Sequence, residues 1–232
     1  MTRPLLVDLC CCAGAASMGY ARAGFEVVGV DVKPSSNYPF RLIEADALAV
    51  LADLDGYGLG AAAAIHASFP CQAFSVTRKR SGRSDHPDLV TPGRPLLEAT
   101  GLPWVMENVP GDHMRGPLIL CGTEFGLTAR DRDGTLLHLK RHRAFEANFT
   151  LWGAGGCWCY GQKIGGVYGN GGEWRRIAPG GGGYKPSVDV RKALIGIDWP
   201  MSAWEVSQAI PPAFTEYVGS QLLAEVRGGV AA

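Results

Sequence analysis

The first hundred residues carry a pattern that leaves few folds open. Short apolar runs alternate with helical stretches, and several runs stop on an acid or a cysteine. Leu5 to Leu9 reads as a strand containing Asp8, followed by the small residues Ala13 to Ala16. Ser17 to Ala23 reads as a helix, and Gly24 suits its left-handed C-terminal position. Glu26 to Asp31 and Arg41 to Glu44 are further strands, with a helix at Ala47 to Leu54. Ala61 to Ala67 is an apolar run that stops at Ser68-Phe69-Pro70-Cys71. A helix over Thr91 to Thr100 and a strand over Trp104 to Glu107 continue the alternation. Such repetition predicts an α/β fold with a mostly parallel sheet covered by helices on both faces. Ligands of these sheets gather at the carboxyl ends of the strands. That rule lines up Asp8, Asp31, Asp46, Cys71 and Glu107 along one rim.

The second half reads differently. Leu139 to Phe149 is strand material, and Val188 to Leu194, Ser202 to Val206 and Thr215 to Val226 are helical. Between them lies a glycine-rich stretch: of the 32 glycines, 13 fall between Gly153 and Gly183. Its aromatics (Trp152, Trp158, Tyr160, Tyr168, Trp174, Tyr184) set it apart from a simple flexible linker. The 232 residues therefore divide into a core over 1–150, a glycine-rich region over 151–185 and a C-terminal segment over 186–232 that returns to the core.

Composition excludes some classes. The chain is 47% hydrophobic and 19% charged, enough apolar material to fill a core. No run of about 18 apolar residues is present, so no membrane-spanning helix is expected. The start lacks the signal-peptide pattern, and seven cysteines, three of them consecutive, make a poor disulfide framework. Both observations point to a reducing, cytoplasmic setting. With 22 basic and 22 acidic residues the net charge is zero, so a nucleic acid must meet local patches.

Four segments carry chemistry. In Asp8-Leu9-Cys10-Cys11-Cys12-Ala13-Gly14-Ala15, a small-residue turn between strand and helix lets backbone N–H groups approach a ligand closely. Asp31 ends the next strand 23 residues after Asp8, the placement of an acid that binds ribose hydroxyls. In Phe69-Pro70-Cys71-Gln72-Ala73-Phe74-Ser75, a cysteine follows a proline at a strand end, and Arg78, Lys79, Arg80 and Arg83 follow closely. That setting suits a nucleophile better than a buried inert thiol. Glu107, at the end of a strand and before Asn108-Val109-Pro110-Gly111, is placed to share a proton if partly desolvated. In Leu139-Lys140-Arg141-His142-Arg143, a strand would put Arg141 and Arg143 on one face, ready for a carbonyl oxygen or a phosphate.

Taken in order, these segments resemble the DNA (cytosine-5) methyltransferases. Pro70-Cys71-Gln72 with Phe74-Ser75, the 36-residue gap to Glu107-Asn108-Val109, the Arg-x-Arg segment and Ser207-Gln208-Ala209-Ile210-Pro211-Pro212 match the family's motif series. The resemblance covers most of 5–149 and resumes at about 186–224. It implies a Rossmann-like S-adenosylmethionine-dependent methyltransferase fold of the compact bacterial or phage kind, with a reduced target-recognition region.

It also implies roles. Cys71, flanked by Pro70 and Gln72, would attack C6 of a flipped-out cytosine, and Glu107, beside Asn108, would engage N3 and the exocyclic amine. Arg143 with Arg141 would contact the cytosine carbonyl or a neighbouring phosphate. For S-adenosylmethionine, Asp8 and the turn Cys10, Cys11, Cys12, Ala13, Gly14 and Ala15 would hold the methionine part. Asp31 with Val32 would hold the ribose, Asp46 with Ala47 the adenine, and Gln208 and Ala209 would close the pocket. Ser75, Arg78, Lys79, Arg80, Arg83, Arg175 and Arg176 would contact double-stranded DNA. The sequence departs from the family at Cys10 (usually Phe), at Cys12 and Ala15 (usually Gly), at Phe69 (usually Pro) and at Leu139 (usually Gln).

The protein is expected to be a monomer, with room for an accessory recognition chain. RNA as the substrate and a catalytically inactive DNA-binding relative are the alternatives. His138, His142, Cys157 and Cys159 form a Cys2His2 set, but Cys-x-Cys spacing is less typical of zinc, and His142 sits inside the Arg-x-Arg segment. No metal is therefore expected.

Overall fold

The computed structural model describes residues 2–74, 87–169, 174–175 (backbone) and 184–228. Seven strands form the central sheet: β1 (Leu5–Leu9), β2 (Glu26–Asp31), β3 (Arg41–Glu44), β4 (Ala62–Ala67), β5 (Trp104–Asn108), β6 (Leu118–Leu120) and β9 (Arg143–Ala147). Their order is β3-β2-β1-β4-β5-β9-β6. The first five are parallel, and β9 runs antiparallel to both β5 and β6. Two small ribbons lie outside it: β7 (Thr128–Arg130) with β8 (Leu136–His138), and β10 (Trp174–Arg175) with β11 (Tyr184–Lys185).

The strands read as near-continuous apolar runs because both sheet faces are buried. One face packs Val7, Leu9, Val28, Val30, Ile65 and Met106 under α2 (Ala47–Ala52) and α3 (Val90–Ala99). On the other face Leu6, Val27, Ala64, Val105 and Phe145 lie with Tyr20 of α1 (Ala15–Ala23) and Phe214, Val218 and Leu222 of α6 (Pro212–Gly228). Helices α1 and α6 cross closely because Gly19 has no side chain. A Cβ there would strike Thr215 Oγ1 and the Pro212 carbonyl, and Thr215 Oγ1 donates to the Ala16 carbonyl at 2.9 Å. The chain thus returns to its own beginning. A third cluster joins Ala13 and Ala15 to α4 (Val188–Ile195) and α5 (Ala203–Gln208).

From β1 the chain steps outward to β2 and β3, then crosses back to β4 and β5 on the other side. That reversal makes the gap between β1 and β4 the topological switch point, where open α/β sheets bind ligands.

Three sequence expectations shift. The strand expected from Leu139 forms only from Arg143, so Arg141 precedes the strand and does not share a face with Arg143. Strands β6 and β7, three residues each, were not expected. Helix α1 starts at Ala15, because Gly14 (φ 82°) already turns the backbone. No helix among the described residues is long and apolar enough to cross a membrane.

Candidate active site

The turn after β1 has an unusual backbone. Cys10 (φ 59°) and Cys12 (φ 48°) are left-handed, and Gly14 follows at 82°. A non-glycine residue there costs roughly 1–2 kcal/mol, a strain that recurs at ligand sites. Left-handed residues alternating along a turn aim successive N–H groups to one side. Helix α1 follows with no side-chain cap, so its first amides also lack a partner from the cap residue. Space is tight at the turn, since a Cβ on Gly14 would lie 2.7 Å from Pro39 Cδ. Asp31 braces the turn: its Oδ2 accepts from Cys12 N at 2.9 Å, and Oδ1 accepts from Lys33 N at 2.9 Å. Beside it Val32 is 57% exposed, an open apolar surface next to a carboxylate.

Asp8 is wholly buried beneath the turn. Ser17 Oγ donates to its Oδ2 and lies 2.9 Å from the Tyr38 hydroxyl, while Oδ1 has no partner. Burial raises its pKa to about 7, against the lowering effect of the Ser17 hydrogen bond. Asp46 is exposed and caps α2, its Oδ1 accepting from Leu48 N and Ala49 N at 2.9 and 3.0 Å, and Ala47 is buried as the helix's first residue. Trp199 Nε1 donates to the Ala13 carbonyl at 3.2 Å, tying the turn to the C-terminal segment.

Across the switch point, Pro70 leaves β4 and Cys71–Ala73 form a single 3-10 turn, with Cys71 half-buried. Phe69 is a core residue: its ring fills the space a side chain on Gly93 of α3 would need. Asn108 locks the loop, its Nδ2 donating to the Phe69 carbonyl at 2.9 Å while its Oδ1 accepts from Val109 N. Gln72 Nε2 reaches Gln208 Oε1 at 3.5 Å, so the cysteine loop meets the end of α5. Ala209 is buried there.

Glu107, on β5 next to β4, is buried and paired with Arg143 of β9, with Nε and Oε1 2.9 Å apart. Burial raises the Glu107 pKa, opposed by Arg143 and Arg141. The Cys71 thiol is also pushed up by burial, again opposed by Arg143 and Arg141 and assisted by Glu107. The four groups thus act on one another electrostatically, with Arg143 and Glu107 in direct contact. Arg141 differs from Arg143 in its contacts. It is buried, and its guanidinium donates to the Val167 and Ser207 carbonyls at 2.8 Å each.

A chain of polar groups behind Glu107 was not visible in the sequence. It ends at Ser68, which stands beside the Glu107 carboxylate and lowers its pKa. His66 Nε2 lies 2.7 Å from Ser68 Oγ, and Tyr20 OH lies 2.8 Å from His66 Nδ1. Burial lowers the His66 pKa to about 3, so the ring is neutral. A histidine inside an apolar run gave no signal of this role. Equally unannounced is the buried bidentate pair of Arg94 with Glu146 (2.7 and 2.9 Å), which Arg115 N and the His113 carbonyl complete.

Ser75, Arg78, Lys79, Arg80, Arg83 and Arg176 lie outside the described residues, and of Arg175 only the backbone, in β10, is described. Several aromatics of the glycine-rich region are exposed, Tyr160 at 98% and Trp152 at 71%.

No family model and no curated protein matches the sequence. Solved structures do match the fold. A protein described as a DNA modification methyltransferase encoded within an E. coli prophage superposes with a TM-score of 0.59 at 14% identity, covering 97% of this chain and 99% of that one. The S. pombe Dnmt2 methyltransferase gives 0.58 at 12% identity, with 97% and 99% covered. Entamoeba histolytica methyltransferase EhMeth gives 0.53 at 10%, with 99% of each chain covered.

Proposed function

We propose that this chain, which has the methyltransferase fold, transfers a methyl group from S-adenosylmethionine to C5 of a cytosine in double-stranded DNA. One observation carries the reading. At the switch point, a half-buried cysteine on the loop after β4 shares an electrostatic neighbourhood with a buried, arginine-paired glutamate on β5.

The residues on the other side of the switch point fit the cofactor. The turn from Cys10 to Ala15 offers amides, Asp31 offers carboxylate oxygens to ribose hydroxyls, and the exposed Val32 offers an apolar surface to a ring. Asp8 supports this turn through Ser17. Asp46 would reach the adenine only with its exposed carboxylate, whose Oδ1 also caps α2. S-adenosylmethionine, when bound, supplies an electrophilic methyl group.

Cys71, as thiolate, forms a bond to C6 of the base. The displaced ring electrons are received as Glu107 delivers a proton to N3, which suits a carboxyl whose burial favours the protonated form. C5 then carries the electron pair that takes the methyl group. Loss of the C5 proton to a base breaks the Cys71–C6 bond, and N3 returns its proton to Glu107. Arg143 holds the glutamate in place and balances its charge when the proton is gone. Because the resting thiol is pushed up by burial, its proton must pass to solvent as the substrate engages. A stacked base cannot reach a loop at the sheet rim, so the cytosine has to leave the duplex.

The test is transfer of radiolabelled methyl from S-adenosylmethionine to duplex DNA and, in parallel, to RNA. Labelled duplex DNA and a Cys71-dependent covalent adduct on 5-fluorocytosine DNA are expected. Label on RNA alone would move the substrate, and neither label nor adduct would identify an inactive relative.

A further inference from the structure

Four side chains scattered through the sequence meet at one point. We infer that Cys121, His142, Cys157 and Cys159 bind one zinc ion in a tetrahedral Cys3His site. Their ligand atoms all lie within 4.8 Å of one another. Cys157 Sγ is 3.3 Å from both Cys159 Sγ and His142 Nε2, and Cys159 Sγ is 3.9 Å from the same nitrogen. Zinc bonds of about 2.3 Å to sulfur and about 2.0 Å to nitrogen put tetrahedral ligands about 3.5–3.8 Å apart. The observed cluster brackets that spacing without backbone movement.

Hydrophobic burial does not explain the cluster, because Cys157 is exposed and Cys159 only half-buried. Backbone design does favour it. Gly155 and Gly156 (φ 124° and 100°) precede Cys157, and Gly161 (φ 77°) follows Cys159, so the chain turns on both sides of Cys157-Trp158-Cys159. An outer shell is present as well. Thr123 Oγ1 accepts from Trp158 N at 3.3 Å and lies 3.4 Å from Cys121 Sγ. Such partners orient metal ligands. The sequence had suggested His138 for the fourth position. The structure instead sets that ring edge-on to Trp158, centroids 5.4 Å apart, and Cys121 takes its place.

The site joins three distant segments: the end of β6, the residue just before β9, and the glycine-rich loop. Zinc would release the thiol protons to solvent and fix that loop, which has no regular secondary structure around the two cysteines. His142 stands between Arg141 and Arg143, so the ion would also hold Arg143 in register with Glu107. That consequence alone rests on the proposed reaction; the metal site does not.

Elemental analysis of the full chain, purified without chelators, should find about one zinc per protein. Replacing zinc with cobalt should give the intense visible bands of a tetrahedral thiolate site. Cys121→Ser and Cys157→Ser should each lose most of the metal, and His138→Ala should keep it. Zinc-free protein that also fails to take up cobalt would overturn the site. So would metal lost in His138→Ala but kept in Cys121→Ser, or a Cys157–Cys159 disulfide in protein prepared under reducing conditions. If the cysteine variants do not fold, the cobalt spectrum of the unaltered chain still decides. None of these readouts depends on methyl transfer.

Discussion

The two halves of the molecule position their functional groups by different means. From β1 to β5, each one hangs on a parallel strand or the turn directly after it: Asp8, Asp31, Cys71 and Glu107 are fixed by the backbone ladder. From β6 onward, strands are short and the chain is tied by side chains. Arg141 bonds two distant carbonyls, Lys185 is buried with its Nζ 3.3 Å from the Gly169 carbonyl, and three thiols converge with an imidazole. A ladder needs only an apolar pattern to form. Side-chain ties need particular residues from segments that the fold alone brings together.

This contrast can be broken by mutation. The largest effect is expected at the ladder's rim: Cys71→Ser should abolish methyl transfer while calorimetric binding of S-adenosylmethionine persists, and retained turnover would remove the nucleophile from the mechanism. Next, Glu107→Gln should lower kcat by about 10²–10⁴-fold with little change in KM, the range for losing a positioned proton donor. Steady-state kinetics on duplex DNA check this. In the tied half, Glu146→Gln leaves the Arg94 guanidinium buried beside a neutral amide. Breaking a buried pair this way costs about 3–5 kcal/mol, measurable by urea unfolding.

The last expected effect is a pH dependence within the first half. The Asp8 pKa is raised from 3.8 to about 7 in the folded chain, so the unfolded chain gives up its proton first as pH rises. The stability this carboxyl contributes is complete below about pH 4 and lost by about pH 7. Asp8→Asn should therefore gain on the parent as pH rises through that window and run parallel above it. A melting-temperature difference independent of pH would show that Asp8 is ionised throughout.

Much of the first half was legible in advance. The strands β1, β2 and β3 fall on the residues expected, because apolar runs closed by acids or glycine have one good solution in a doubly covered sheet. Cys71, Glu107 and Asp31 stood out because reactive side chains at strand ends are hard to explain as core. Arg141 was placed beside Arg143 on a strand, but the strand starts two residues later and Arg141 became a buried clamp. The Tyr20–His66–Ser68 chain and the Arg94–Glu146 pair gave no warning, since each joins elements distant in sequence.

The glycine excess shows the same division. Sequence alone marked 153–183 as unlike the rest, and it correctly set Cys157 and Cys159 beside His142. It could not supply Cys121, which lies 21 residues before His142, nor discard His138, which lies four before it. Periodicity and turn chemistry act over a few residues, so the sequence by itself determined the alternating core and the strand ends that carry Cys71 and Glu107. Which side chains meet across β6, β9 and the glycine-rich loop depends on the order and direction of strands in the sheet, and that was decided only by the tertiary structure.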